Sequence, residues 1–141
     1  MISPIRRLRQ EAAYGLFCGL DHLIWIGVKL LPGPRLFALC RQRPWRRPPA
    51  FLNCADRERW LGRISWLLRQ RCRRAAWGSS CLSRSLAGRL LLDLLGVPND
   101  LHLGMERDLC GEPIPHGWLS SGERILTPGL DPRKGAHLIT L

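Results

Sequence analysis

The hydrophobic period of this chain changes at Gly96-Val97-Pro98. Before that point apolar residues recur three and four apart; after it they alternate, as Leu101, Leu103 and Met105 do in "DLHLGMER". The first spacing lines one face of a helix, the second one face of a strand. The expected fold is therefore α+β, with helices leading and a small antiparallel sheet following. At 141 residues, 45 % of them hydrophobic, the chain has apolar content for one core and reads as one domain. Within it we distinguish a helical N-terminal subdomain over 1–75 from a core over 76–141.

The helical part contains several candidates. The run "YGLFCGLDHLIWIGVKLLPG" at 14–33 is interrupted by Asp21, His22 and Lys29 and closed by Pro32. A membrane span needs about 20 predominantly apolar residues with few charges, so a buried or partner-facing helix fits better. Peripheral membrane contact is the lesser reading. "PGPRLFALCRQRP" suggests a second, short helix. A longer one follows, capped around Asn53 to Asp56, with Trp60, Ile64, Leu67 and Leu68 on one face. The next, "WGSSCLSRSLAGRLLLDLLG" at 77–96, opens on Cys81 after two serines, of which Ser80 can cap it. Leu82, Leu86, Leu90 and Leu94 form one row, while Ser85 and Gly88 follow Cys81 along another. Glycine inside a helix costs about 1 kcal/mol relative to alanine, so a strand packed closely on that row is expected.

Beyond the strand at 101–105 lies a loop with Cys110, Gly111 and Pro113, then "PHGWLSSGERILTPG", a hairpin. A turn at Ser121-Gly122 sets Trp118 opposite Ile125 and His116 opposite Thr127. The tail "LDPRKGAHLITL" suggests a last strand.

Charge is unevenly divided, since residues 1–89 carry 18 Lys/Arg against four acids and residues 90–141 four against seven. A basic half suits nucleic acid, an anionic surface or an acidic polypeptide alike. Charge alone does not choose, and nucleic acid is not expected. The six cysteines follow no signal peptide and contain no C-x-x-C pair, and the histidines at 22, 102, 116 and 137 are scattered. A reducing, cytoplasmic setting is expected, with no disulfide framework, no metal and no cofactor.

Cys81 either packs or attacks. In the first turn of a helix it lies near unpaired N–H groups and the positive end of the dipole, which favour thiolate. The same amides can hold an oxyanion. Arg84, one turn on, adds positive charge. A sheet that brought His116 to Cys81 would create a thiolate–imidazolium pair. Buried free cysteines are, however, usually inert.

"CLSRSLAGRLLLDLLGVPNDLHLGMERD" and "PHGWLSSGERIL" together resemble the C-terminal signature of the B2-type lasso-peptide leader peptidases of the transglutaminase-like superfamily. Cys81, Leu82, Arg84, Ser85, Leu86, Ala87, Leu103, Gly104, His116 and Trp118 carry the resemblance. The motif covers about residues 77–127, and the arginine-rich N-terminal half is similar in character only. The resemblance implies a papain-like core in which a Cys-headed helix packs on the sheet. It further implies a cysteine protease that removes the leader from a ribosomally made precursor before a separate cyclase closes the lasso ring. Cys81 would be the nucleophile and His116 the proton carrier. The chain is short for a fused leader-recognition module, so a separate leader-binding protein is implied as a partner.

One position departs from the family's pattern. An aspartate is expected on the strand after the histidine, and Thr127 stands there. A threonine hydroxyl accepts a hydrogen bond but supplies no charge. Asp131 is the alternative third member. Trp77 and Ser80 are candidates for the oxyanion site, although capping alone accounts for Ser80. Two other functions stay open: an acyltransferase that passes the acyl group to an amine, and a catalytically silent scaffold that binds the leader or another enzyme, favoured by the missing aspartate.

Overall fold

A computed structural model describes residues 4–46, 53–74, 77–107, 109–128 and 136–141, with only the backbone considered at 136–138. Four helices come first: α1 (Pro4–Leu30), α2 (Gly33–Gln42), α3 (Cys54–Arg74) and α4 (Cys81–Leu94). The strands follow as β1 (Asp100–Arg107), β2 (Pro113–Ser121), β3 (Arg124–Ile125) and β4 (Ala136–Thr140), in the sheet order β3-β2-β1-β4. All neighbouring strands are antiparallel. The expected α+β class is the one observed, and no helix among the described residues is long and apolar enough to cross a membrane.

Local chemistry sets the helix ends. Pro4 begins α1, where a missing N–H costs nothing, and the α1–α2 link contains Pro32. The helix runs ten residues further toward the N-terminus than the apolar stretch at 14–33, because the polar segment before it is also helical. Asn53 caps α3, its Oδ1 accepting from the Asp56 N–H at 2.8 Å. A reciprocal box opens α4: Ser80 Oγ accepts from the Ser83 N–H at 3.0 Å, and Ser83 Oγ from the Ser80 N–H at 2.9 Å.

Helix α4 is the centre of the molecule, in contact with α1, α3, β1 and β2. Leu119 of β2 and Leu68 of α3 close on its middle. A Cβ on Gly88 would stand 2.8 Å from Leu119 Cδ2 and 3.3 Å from Leu68 Cδ1, which is the close approach that glycine permits. The core joins Phe17, Leu61, Ile64, Leu68, Leu92 and Leu126 across the helical layer and the sheet. The turn between β2 and β3 falls at Gly122-Glu123, not Ser121-Gly122, since Ser121 pairs with Arg124 and Ser120 with Ile125. Gly122 has φ 57°, the positive value that a two-residue hairpin can require at its first central position. The strand therefore continues through Ser121. A slip of two keeps each side chain on its face but moves Thr127 away from His116.

Two buried aspartates lock the helices together. Asp93, at the end of α4, binds the guanidinium of Arg43 and accepts from Trp45 Nε1 at 3.0 Å and Asn99 Nδ2 at 2.9 Å. Removing one member of a buried pair strands the other charge, at a cost of about 3–5 kcal/mol. Asp93→Ala is accordingly expected to lower unfolding free energy by about that amount; urea titration followed by tryptophan fluorescence measures it.

Candidate active site

Residue 119 shows which edge of β2 is available to the cysteine helix. Leu119 accepts from the Leu126 N–H at 2.8 Å and its own N–H donates to Thr127 Oγ1 at 3.2 Å, so its backbone points toward β3. By the period of two, the backbone groups of 113, 115 and 117 point the same way. Prolines at 113 and 115 remove two donors from that edge, and β3 pairs only with Ser120 and Ser121 among the described residues. The tip of α4 uses the edge instead. Cys81 Sγ lies 3.7 Å from the Pro115 carbonyl oxygen, and Ser85 Oγ donates to the Gly117 carbonyl at 2.9 Å. Leu82 packs over Gly117, where a Cβ would stand 3.4 Å from Leu82 Cα, an ordinary contact distance.

His116, between these two residues, belongs to the other face of the sheet, yet its ring lies near enough to the Cys81 sulfur for each group to shift the ionisation of the other. Gly104 lies directly opposite His116 on β1 and has no side chain. The next residue of β1 on that face is Glu106, whose Oε2 lies 3.1 Å from His116 Nδ1. Trp118 stacks obliquely beside the histidine, ring centroids 4.6 Å apart. Sulfur, imidazole and carboxylate thus form a row over the edge of β2.

Opposing influences act on the sulfur. Burial is the largest and pushes the thiol up, but the His116 hydrogen bond, the Gly117 N–H and the positive charges of His116 and Arg84 together hold it below the ordinary cysteine range. The Cys81 hydrogen bond raises His116 above the usual histidine range; burial and Arg84 oppose this, while the charges of Cys81 and Glu106 add to it. Shifts of opposite sign widen the pH interval in which the pair exists as thiolate and imidazolium.

The approach to Cys81 is held from behind. Asp21 is wholly buried in α1; it accepts from Ser83 Oγ at 2.6 Å and from Arg71 Nε of α3 at 2.7 Å. Gly78 has φ 70° and lies against His22, whose Nδ1 is 3.3 Å from its carbonyl oxygen. A Cβ at Gly78 would fall 2.1 Å from that nitrogen, so only glycine fits. With the Ser83 N–H taken by the cap and the Arg84 N–H bound to Ser80 O at 3.0 Å, the amides of Cys81 and Leu82 are the ones left at the tip.

The structure brings Cys81 and His116 together and separates them from Thr127, which is buried and bound to the Leu119 N–H. The two-residue shift in the hairpin accounts for that separation. Asp131 falls outside the described residues. Ser80 is occupied as the helix cap, and Trp77, 75 % exposed, packs its ring against His22 and Trp25. Glu106 escaped the sequence reading, which sought the carboxylate after the histidine. Its signal was the alternation His102, Gly104, Glu106, the polar face of β1. Among the described residues, no group of three or more His, Cys, Asp or Glu could hold a metal ion.

Iodoacetamide alkylation of Cys81 is expected to titrate below the ordinary cysteine range near 8.5. His116→Ala should raise that midpoint. Stopped-time labelling with peptide mass mapping, repeated across pH, separates Cys81 from the other five cysteines.

No curated protein and no solved structure matches the chain. The family model described as transglutaminase-like superfamily matches residues 25–139, spanning α4 with Cys81 and the strands with His116 and Glu106. On that match over most of its length, the chain belongs to the transglutaminase-like superfamily.

Proposed function

We propose that the protein is a cysteine peptidase that removes the leader from a ribosomally synthesised lasso-peptide precursor. The observation that carries the reading is the placement of Cys81 at the tip of α4 against Pro115 O, next to His116, whose Nδ1 lies 3.1 Å from Glu106. The superfamily match supports cysteine-based acyl chemistry; the finer identity rests on the motif around Cys81 and His116. The separate leader-binding protein and the cyclase belong to the same proposal.

The proposed cycle follows from the charges. Cys81 thiolate attacks the scissile carbonyl carbon, and the carbonyl electron pair moves to oxygen, stabilised by the Cys81 and Leu82 amides. When the tetrahedral adduct collapses, the C–N bond breaks and the leaving amine takes the proton of the His116 imidazolium. His116, now neutral, accepts a proton from water as the water oxygen attacks the thioester. Collapse of the second adduct releases the leader carboxylate and the thiolate. Glu106 holds the ring by Nδ1 and stabilises its cationic form, the service assigned by expectation to an aspartate or to Thr127. The main argument for a silent scaffold, a missing carboxylate, is thereby weakened. Transfer to an amine uses the same thioester, and product mass distinguishes it from hydrolysis.

Cys81→Ala and His116→Ala are expected to abolish cleavage of a lasso precursor supplied with its leader-binding protein, with unchanged far-UV circular dichroism. Normal cleavage by Cys81→Ala would overturn the mechanism. Glu106→Gln should reduce kcat/KM toward the lower end of the roughly 10²–10⁴-fold typical of a positioned proton-transfer group. Because the Glu106 charge raises the imidazole, its loss should move the alkaline limb of the pH profile to lower pH. Mass spectrometry of initial rates across pH reads both.

A further inference from the structure

A groove of about 1180 Å³ lies between the first turns of α1, the middle of α3 and the last turn of α4. It is remote from the site above. Leu94 is 13 residues from Cys81 along α4, about 20 Å at 1.5 Å per residue. Trp60, Trp66 and Leu67 of α3 and Leu91 and Leu95 of α4 supply its apolar lining. At its mouth Ile5 is 65 % and Leu94 43 % exposed, so apolar surface remains uncovered there.

The walls are cationic. Arg6 and Arg9 stand one turn apart on α1, Arg59 and Arg63 one turn apart on α3, and no Asp or Glu lines the groove. Arg63 lies over the Trp60 ring, 5.3 Å from its centroid, presenting a cation beside an apolar plane. Arg59 also pairs with Asp56 at 3.3 Å, but both side chains are substantially exposed and such pairs are worth little. Burying four like charges against an unlike-charged occupant is favourable; against a neutral or basic one it is not.

We propose that this groove docks an acidic amphipathic helix of a partner protein. Its apolar side chains, at i, i+3, i+4 and i+7, fill the tryptophan–leucine lining, and carboxylates on its two flanks meet the arginine pairs on the two walls. Paired arginines on facing helices match a helix of about 10–12 Å diameter with acids on both sides. A second copy of this chain fits poorly, because its described helices have no acidic face: Asp21 and Asp93 are buried, Glu11 stands alone on α1 and pairs with Arg74, and Asp56 and Glu58 are interleaved with Arg57 and Arg59. A flat anionic membrane would leave the recessed Trp66 and Leu67 unfilled. The inference does not depend on the peptidase reading.

The test uses the whole protein and a fluorescein-labelled synthetic helix of about five turns, with leucine at the spacing above and glutamate on both flanks; a second peptide replaces every glutamate with lysine. Anisotropy should show binding of the glutamate peptide only. Arg9→Glu/Arg63→Glu, one change per wall, should weaken it at least about tenfold, while Arg69→Glu/Arg73→Glu, exposed on α3 outside the groove, should leave it unchanged. Equal loss with both double variants would mean general attraction to a basic protein and would overturn the proposal. So would equal binding of both peptides, binding of phosphatidylglycerol vesicles that the groove variant alone abolishes, or a dimer by sedimentation that the groove variant disperses. Arg9→Gln/Arg63→Gln keeps the test valid if charge reversal disturbs folding, and unchanged Cys81 alkylation shows that the active site is intact.

Discussion

Asp21 is a carboxylate with no solvent contact, and each oxygen has a different partner: Ser83 Oγ at the start of α4 and Arg71 Nε from the end of α3. Three helices meet through it. Ser83 is also the third residue of α4 and half of its capping box, so the clamp acts on the turn that carries Cys81. Taking two charges from water costs several kcal/mol per ion, and their attraction recovers this only with good geometry and further hydrogen bonds. Its contribution here lies in position. Without it the tip of α4 would be held to the sheet by the Ser85–Gly117 hydrogen bond but not tied to α1 and α3 by any charged group among the described residues. A sulfur that must meet an imidazole around a strand edge does not tolerate sliding.

The same economy of placement explains the edge of β2. An unpaired strand edge invites another strand, and here two prolines, a short β3 and a helix tip remove that opportunity. The groups left over surround the Cys81 sulfur. Pro115 O and the Gly117 N–H contact the sulfur, while Gly117 O anchors the helix through Ser85. Alternation then sends His116 to the opposite face, where Glu106 from the preceding strand meets its second side. A carboxylate before the histidine in sequence can reach the ring as well as one after it, because antiparallel neighbours on both sides of a strand are equally near.

Much of this was legible because it follows from periods and caps. The change at Gly96-Val97-Pro98 located the boundary between helices and strands, Ser80 read correctly as a cap, and Gly88 implied the close contact that Leu119 makes. The hairpin misled by two residues, since "SSGE" offers two places for a glycine turn and only the pairing of Ser121 with Arg124 decides between them. That slip gave Thr127 a partner it does not have. Glu106 required the pairing of β1 with β2, which depends on a loop whose length sequence patterns do not fix. In the sequence Asp21 is a charge that spoils a membrane span; its partners lie 50 and 62 residues away, beyond any local pattern.

Net charge illustrates the same limit. The excess of arginine in the first 89 residues suggests a strongly basic surface, yet part of it is internal. Arg71 is committed to Asp21, and Arg43, at a left-handed helix end with φ 48°, is committed to Asp93. Arg89 is buried as well, 4.0 Å from Asp93, with none of its guanidinium nitrogens hydrogen-bonded among the described residues. Burial, then the nearby Arg43 charge, lowers its pKa. Two arginines face one carboxylate there, and Arg43 holds both oxygens. A lysine could not bridge both at once, because its ammonium is a point charge where guanidinium is a fork. That fork ties α2 to α4 as Asp21 ties α1 and α3, so the basic composition stabilises the frame around Cys81 before it offers anything to a partner.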